Sequence, residues 1–305
     1  MEVTRRTVLL GMAGAALAAC TSGSTPAPAD LVLATGPRGA VFREIGAALA
    51  AALADRLPAT TVTTRPSSAS VENLRLLESG AAHLGLSSLD AALSPSVPSG
   101  LSAVGRLYDS FLHLVVPAAS PIRSPADLAG RTVSLGAIGS GTEFTGQRLL
   151  RLLGVTPVEV RMTQAESSDA LRAGRIDAFL TLTGIPTPAI TGLLGAMPLR
   201  LVPMPDEAVR LADAFRGPYV PATVPATTYD GLGACQTVAV PNLLLARDDL
   251  AADVVEVVTA TVFTESARIA AGHPEASRIN VRTGIATGQV PLHPGAARWF
   301  RSVKR

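Results

Sequence analysis

Two short stretches hold the residues best suited to gripping a small anion. Residues 139–143 read Gly-Ser-Gly-Thr-Glu, between a β-type run and an amphipathic run at helical spacing. The first N–H groups of a helix have no acceptor within it and sit at the positive end of its dipole, so such a turn holds anions. Ser140 and Thr142 add hydroxyls beside the amide of Gly141. The same residues also suit a plain helix cap. Residues 35–42 (TGPRGAVF) form a second strand-to-helix turn. There Thr35 and Gly36 offer backbone and hydroxyl, Arg38 offers a guanidinium able to clamp a carboxylate, and Phe42 offers a ring for a carbon chain. Ser87 and Ser88 end a short apolar strand, Ser67 and Ser68 follow another, and Thr183 and Gly184 follow a third. Ligands of open α/β sheets bind at such strand ends. Tyr108 completes the set of candidates.

Other chemistries lack their residues. The 305-residue chain has a single lysine, Lys304, which excludes a lysine-dependent nucleotide loop and Schiff-base catalysis. No Gly-x-Ser-x-Gly elbow is present, and Gly136, Gly139 and Gly141 do not have the dinucleotide spacing. His83, His113, His273 and His293 do not cluster with acids at metal-ligand spacing. His273 and His293 each precede a proline, the pattern of a helix start. Cys235 has no flanking histidine or acid and reads as a packed residue. With 26 basic and 24 acidic residues, net charge is +2 and no basic run marks a nucleic-acid groove. Neither an enzyme, a cofactor nor a metal is expected.

The N-terminus carries an export address. Arg5 and Arg6 precede a short apolar run ending in Leu17-Ala18-Ala19-Cys20. That run is too short to span a bilayer and reads as a signal peptide over residues 1–19, with a twin-arginine pattern. The ending resembles a lipobox, with Cys20 as the lipidated N-terminus of the exported chain. Residues 20–29, rich in Ser, Thr, Ala and Pro, have the composition of a tether. The expected location is the outer face of the cytoplasmic membrane, by lipid anchor.

The elements that must position these groups alternate. Strands are expected over residues 31–35, 60–64, 84–87, 111–116, 132–135, 158–162, 176–182, 199–203 and 237–245. Helices are expected over 41–57, 71–79, 143–153, 168–173 and, as one long helix, 248–271. With 48% hydrophobic residues and a mean hydropathy of +0.35, the chain has ample material for a core. The rhythm is α/β, with parallel sheets covered by helices. Two such halves predict two sheets facing each other across a ligand cleft.

Seven segments in order resemble the TAXI family (TRAP-associated extracytoplasmic immunogenic) of TRAP transporter solute receptors. They are residues 35–42 (TGPRGAVF), 70–77 (SVENLRLL), 84–90 (LGLSSLD), 171–179 (LRAGRIDAF), 184–190 (GIPTPAI), 219–229 (YVPATVPATTY) and 237–244 (TVAVPNLL). The family usually has small residues where Arg38 stands and tyrosine where Phe42 stands. The resemblance implies a type II periplasmic-binding-protein fold, with residues 30–115 plus 237–305 as one lobe and 116–236 as the other. It implies capture of a small organic anion, a dicarboxylate or amino acid such as 2-oxoglutarate or glutamate, for a TRAP-type permease. The alternatives within the same fold are an ABC-type substrate-binding protein and a sensor that presents its closed form to a kinase.

Overall fold

The computed structural model describes residues 28–94 and 99–304. The expected signal segment, Cys20 and most of the tether lie outside those residues. The described residues contain ten strands: β1 (Asp30–Ala34), β2 (Thr61–Arg65), β3 (Leu84–Ser88), β4 (Leu101–Pro117), β5 (Thr132–Ser134), β6 (Val158–Val160), β7 (Ala178–Thr183), β8 (Leu199–Leu201), β9 (Val220–Val224) and β10 (Cys235–Arg247). Between them run α1 (Val41–Arg56), α2 (Ser70–Glu78), α3 (Leu89–Ala92), α4 (Gly141–Leu153), α5 (Gln164–Arg172), α6 (Pro188–Leu194) and α7 (Pro205–Ala214). The chain closes with α8 (Ala252–Thr264), α9 (Ser266–Ala270), α10 (Val281–Gly284) and α11 (Pro294–Ser302).

The strands do not form two separate sheets, as the doubled rhythm predicted. They form one sheet in the order β2-β1-β3-β10-β4-β7-β5-β6, with β8 on β4 and β9 on β10. β1 pairs parallel with β2 and β3, and β5 pairs parallel with β6 and β7. The long strands β4 and β10 run antiparallel between the two parallel sets and join them. β4 starts ten residues before the expected strand, at Leu101. Its first half pairs with the late strand β10, a partner far away in sequence.

The core is divided accordingly. One part gathers α1, α8 and α11 around β1, β3 and the first half of β4, with Leu31, Ile45, Leu86, Leu107, Val258 and Trp299 among its members. A second gathers around the second half of β4, with Leu112, Leu114, Val133, Leu149 and Val240, and two smaller clusters adjoin them. α1 shows why the periodicity was readable: Val41, Ile45, Leu49 and Leu53 recur every fourth residue and are buried. Fully burying one such leucine contributes about 1.5–3 kcal/mol. The expected long helix over 248–271 is instead two helices, α8 and α9, meeting at Glu265. No Gly or Pro marks that joint. Glu265 there reaches Arg268 at 3.3 Å and, 209 residues away, Arg56 at 2.6 Å, a contact that local sequence cannot show. His273 and His293 start helical segments as expected, each accepting a backbone N–H two residues on. Cys235 is buried at the head of β10, and burial pushes its thiol up to about 11, which leaves it unreactive.

Candidate functional site

One cavity of about 540 Å³, mouth included, opens where the ends of β1, β3, β5 and β7 meet β4 and β10. Nine of the thirteen expected ligand residues line it: Phe42, Ser68, Ser88, Tyr108, Ser140, Gly141, Thr142, Thr183 and Gly184. Four do not. Thr35 is buried beneath it, its hydroxyl donating to the Arg65 carbonyl at 3.2 Å and its own carbonyl held by Asn73 Nδ2 at 2.7 Å. Gly36 is buried against Phe42, where an added Cβ would sit 3.1 Å from Phe42 Cβ. Arg38 is exposed and stands outside the lining. Ser87 is buried and donates to the Ser88 carbonyl at 3.2 Å; strand alternation takes it to the face opposite Ser88.

Both strand-to-helix turns contribute. Ser140 is the N-cap of α4 and accepts the Glu143 N–H at 3.0 Å. Gly141 and Thr142 supply the first two N–H groups of the helix, and both line the cavity. Thr142 Oγ1 accepts the Leu182 N–H at 2.9 Å, which ties α4 to β7. Each hydroxyl thus accepts one structural bond and keeps a proton to donate. Space at this turn is tight: a Cβ on Gly141 would lie 2.8 Å from Ser70 Oγ and 3.2 Å from Ser88 Oγ. The start of α1 is drier. Its N-cap is Ala40, and Pro37, Val41 and Phe42 face the cavity with it. The Phe42 ring meets Tyr108 edge-on, centroids 6.5 Å apart.

The floor comes from three adjacent strands. Ser88 of β3 pairs with Asn242 of β10, and β4 lies on the far side of β10. The β10–β4 register slips between Pro241 and Leu243, where Pro241 has no N–H to give the ladder. Asn242 fills the irregularity: its Nδ2 donates to the Tyr108 carbonyl at 3.2 Å and to Ser110 Oγ at 2.8 Å. Ser88 Oγ, Tyr108 OH and Asn242 Oδ1 are left buried and without a hydrogen-bond partner. Sequence reasoning missed Asn242, Ser70, Ser110, Thr163 and Gln164. A proline followed by asparagine inside an apolar strand was the one available signal for Asn242. Ala69, also on the wall, adopts φ 98°, a left-handed value rare for a residue with a side chain, and nothing in its type announces it.

Glu275 stands behind the wall and is also absent from the sequence reading. A Cβ on Gly184 would meet Tyr108 Cε2 at 2.9 Å, Val41 Cγ1 at 3.1 Å and Glu275 Cγ at 3.2 Å, so only glycine lets the β7 loop close against all three. His273 Nε2 meets the Pro186 carbonyl at 3.0 Å on the same contact. Burial raises the Glu275 carboxyl to about 7; Arg278 opposes this, approaching at 3.0 Å without hydrogen-bond alignment. The unfolded chain ionises near 4.5 while the folded chain keeps its proton to about 7. Stability is therefore complete below the lower value and falls as pH rises between the two, by roughly 3 kcal/mol from the 1.36 kcal/mol per unit. Glu275→Gln is expected to flatten that slope in urea titrations at pH 5 and pH 7.5. Equal slopes for wild type and variant would contradict the assignment.

Residues 33–303 match the model of the NMT1-like family. Among solved structures, the chain is similar to the alkanesulfonate-binding protein of Xanthomonas axonopodis pv. citri bound to MOPS, at 18% identity and TM-score 0.51, covering 91% of this chain and 85% of that one. A Xanthomonas citri protein bound to ATP shares 14% identity at TM-score 0.52, covering 90% and 96%. An amino acid ABC transporter substrate-binding protein of Streptococcus pneumoniae bound to L-arginine shares 18% identity at TM-score 0.51, covering 81% and 94%. The expected periplasmic-binding-protein fold is thus the fold observed. The TAXI assignment is corrected: the matching family model is the NMT1-like one, and the TRAP-type permease that the resemblance implied is not supported by it. The resembling blocks at 35–42, 84–90 and 184–190 are strand-to-helix turns of this fold, which explains how they misled.

Proposed function

The chain belongs to the NMT1-like family, and on that premise we propose that it is an exported solute-binding protein, not an enzyme, serving an ABC-type membrane transporter. Its solute is a small organic molecule with an anionic group. The observation that carries this reading is the cavity wall, built from two strand-to-helix turns and from three buried polar groups without partners. Buried polar groups are normally paired, and a missing ligand is one reason for an exception. The proteins of like fold, bound to a sulfonate buffer, ATP and arginine, support a binding role and leave the solute open. Residues 30–115 with 237–305 form one lobe and 116–236 the other, and closure on the solute presents the complex to the transporter. Full-length protein equilibrated with an aqueous small-molecule extract of a bacterial culture is expected to retain a solute in native mass spectrometry. That solute should raise the melting temperature with concentration, by mass action. No retained mass and no shift would overturn the reading.

Membrane attachment is proposed through a lipid on Cys20. The described residues contain no helix long and apolar enough to cross a membrane. Cys20→Ser is therefore expected to move the protein from the membrane pellet to the soluble fraction. Pelleting that persists through a carbonate wash would exclude the anchor.

A further inference from the structure

Among the described residues, the cavity lining contains no Lys, Arg, His, Asp or Glu. Its one ionisable group is the Tyr108 hydroxyl, which burial and nearby Glu275 hold protonated. Of the neighbouring arginines, Arg161 pairs with Glu143 at 2.6 Å and Glu159 at 2.7 Å and Arg106 with Asp109 at 2.7 Å, while Arg38 and Arg75 stand outside the lining. Negative charge on a solute must therefore be met by helix amides and hydroxyls.

The two helix starts differ in what surrounds them. At α4, Ser140, Thr142, Ser70 and the unpartnered Ser88 Oγ gather around the free amides. At α1 the surroundings are Pro37, Ala40, Val41 and Phe42, and the acid Glu275 lies close behind Val41 and Gly184. A second carboxylate there would meet apolar side chains and a buried carboxyl that already resists ionising. The floor makes a different demand. Asn242 Nδ2 faces two acceptors, the Tyr108 carbonyl and Ser110 Oγ, which fixes the amide with Oδ1 as the unpartnered end. An amide oxygen only accepts, so its partner must bring an N–H or O–H. Ser88, Tyr108 and Asn242 are 1%, 2% and 0% exposed, so bulk water does not satisfy them.

We infer that the cavity takes a solute with a single anionic group, held at the start of α4, and at least one N–H or O–H donor directed to Asn242. Hydroxy acids, amino acids and half-amides of diacids fit; dicarboxylates do not. The inference rests on the solute-binding reading and narrows its ligand.

The test uses the full-length chain and the solute it retains from the small-molecule extract, identified by tandem mass spectrometry. One acidic group together with an N–H or O–H is the expected result. A retained solute with two acidic groups, with none, or without a donor overturns this inference and leaves the solute-binding reading standing. Retention of nothing overturns both. Ser88→Ala and Tyr108→Phe supply the second arm, with the retained solute as titrant. Each removes a hydroxyl that has no partner in the unliganded protein, so the unliganded melting temperature should hold or rise while affinity falls about tenfold. A lower melting temperature with affinity within threefold of wild type, in both variants, would make these groups structural and overturn the assignment.

Discussion

Ser140→Ala combined with Thr142→Val is expected to weaken solute binding by roughly two to four orders of magnitude. Each hydroxyl keeps a proton free after accepting its structural bond, and each stands at the start of α4 on the cavity wall. Hydrogen bonds to a charged group contribute about 1.5–3 kcal/mol each, and every 1.4 kcal/mol is tenfold in affinity. The substitutions also touch the fold. Losing the Ser140 cap costs about 1 kcal/mol, and leaving the Leu182 N–H without its acceptor costs about 1–3 kcal/mol. Calorimetry on the folded fraction separates the two effects. Thr142→Ser, which restores the hydroxyl, should recover part of the affinity. Affinity within threefold of wild type in the double variant would reduce this turn to a helix cap.

Asp90→Ala is expected to remove about 3–5 kcal/mol of stability. Asp90 lies in the first turn of α3 and is fully buried. Its Oδ1 accepts the Ala91 N–H at 2.8 Å; its Oδ2 accepts Thr145 Oγ1 at 2.6 Å and the Tyr219 hydroxyl at 2.8 Å. Thr145 lies on α4 and Tyr219 packs in the second core, so this carboxylate joins the two parts of the molecule. Burial and the charge of Asp90 push the Tyr219 hydroxyl up, so it stays a donor. Arg148 donates to that same hydroxyl at 3.2 Å. Alanine would leave two buried hydroxyls without an acceptor, and breaking a buried charged network from one side is costly. The melting temperature should fall by on the order of 10 °C at 2–4 °C per kcal/mol. Asp90→Asn, which keeps one acceptor oxygen, should fall between. A variant that melts within 2 °C of wild type would remove Asp90 as the joining contact.

The sequence by itself determined what depends on neighbours along the chain. Hydrophobic spacing placed α1 and α4 to within two residues, because a core-facing stripe every fourth residue needs no distant partner. Glycines and hydroxyls located the two strand-to-helix turns, and nine expected residues share one cavity wall. It also carried the fold through block order, though the same blocks pointed to the wrong family. Tertiary structure alone decided the rest. Whether Arg38 faces solute or solvent depends on the path of the turn after Gly36, and the residue type is compatible with both. Pairing of β4 with β10 brings Tyr108 beside Asn242, 134 residues apart, and the slip at Pro241 turns that pair into the cavity floor. Glu275 reaches the loop at Gly184 only after the C-terminal helices fold back over β4. The charge of the cavity was decided the same way: arginine is abundant in the sequence, yet the fold places none of it on the cavity wall. Local propensity acts over a few residues, whereas the polarity of a cavity is set by side chains that long-range strand pairing brings together.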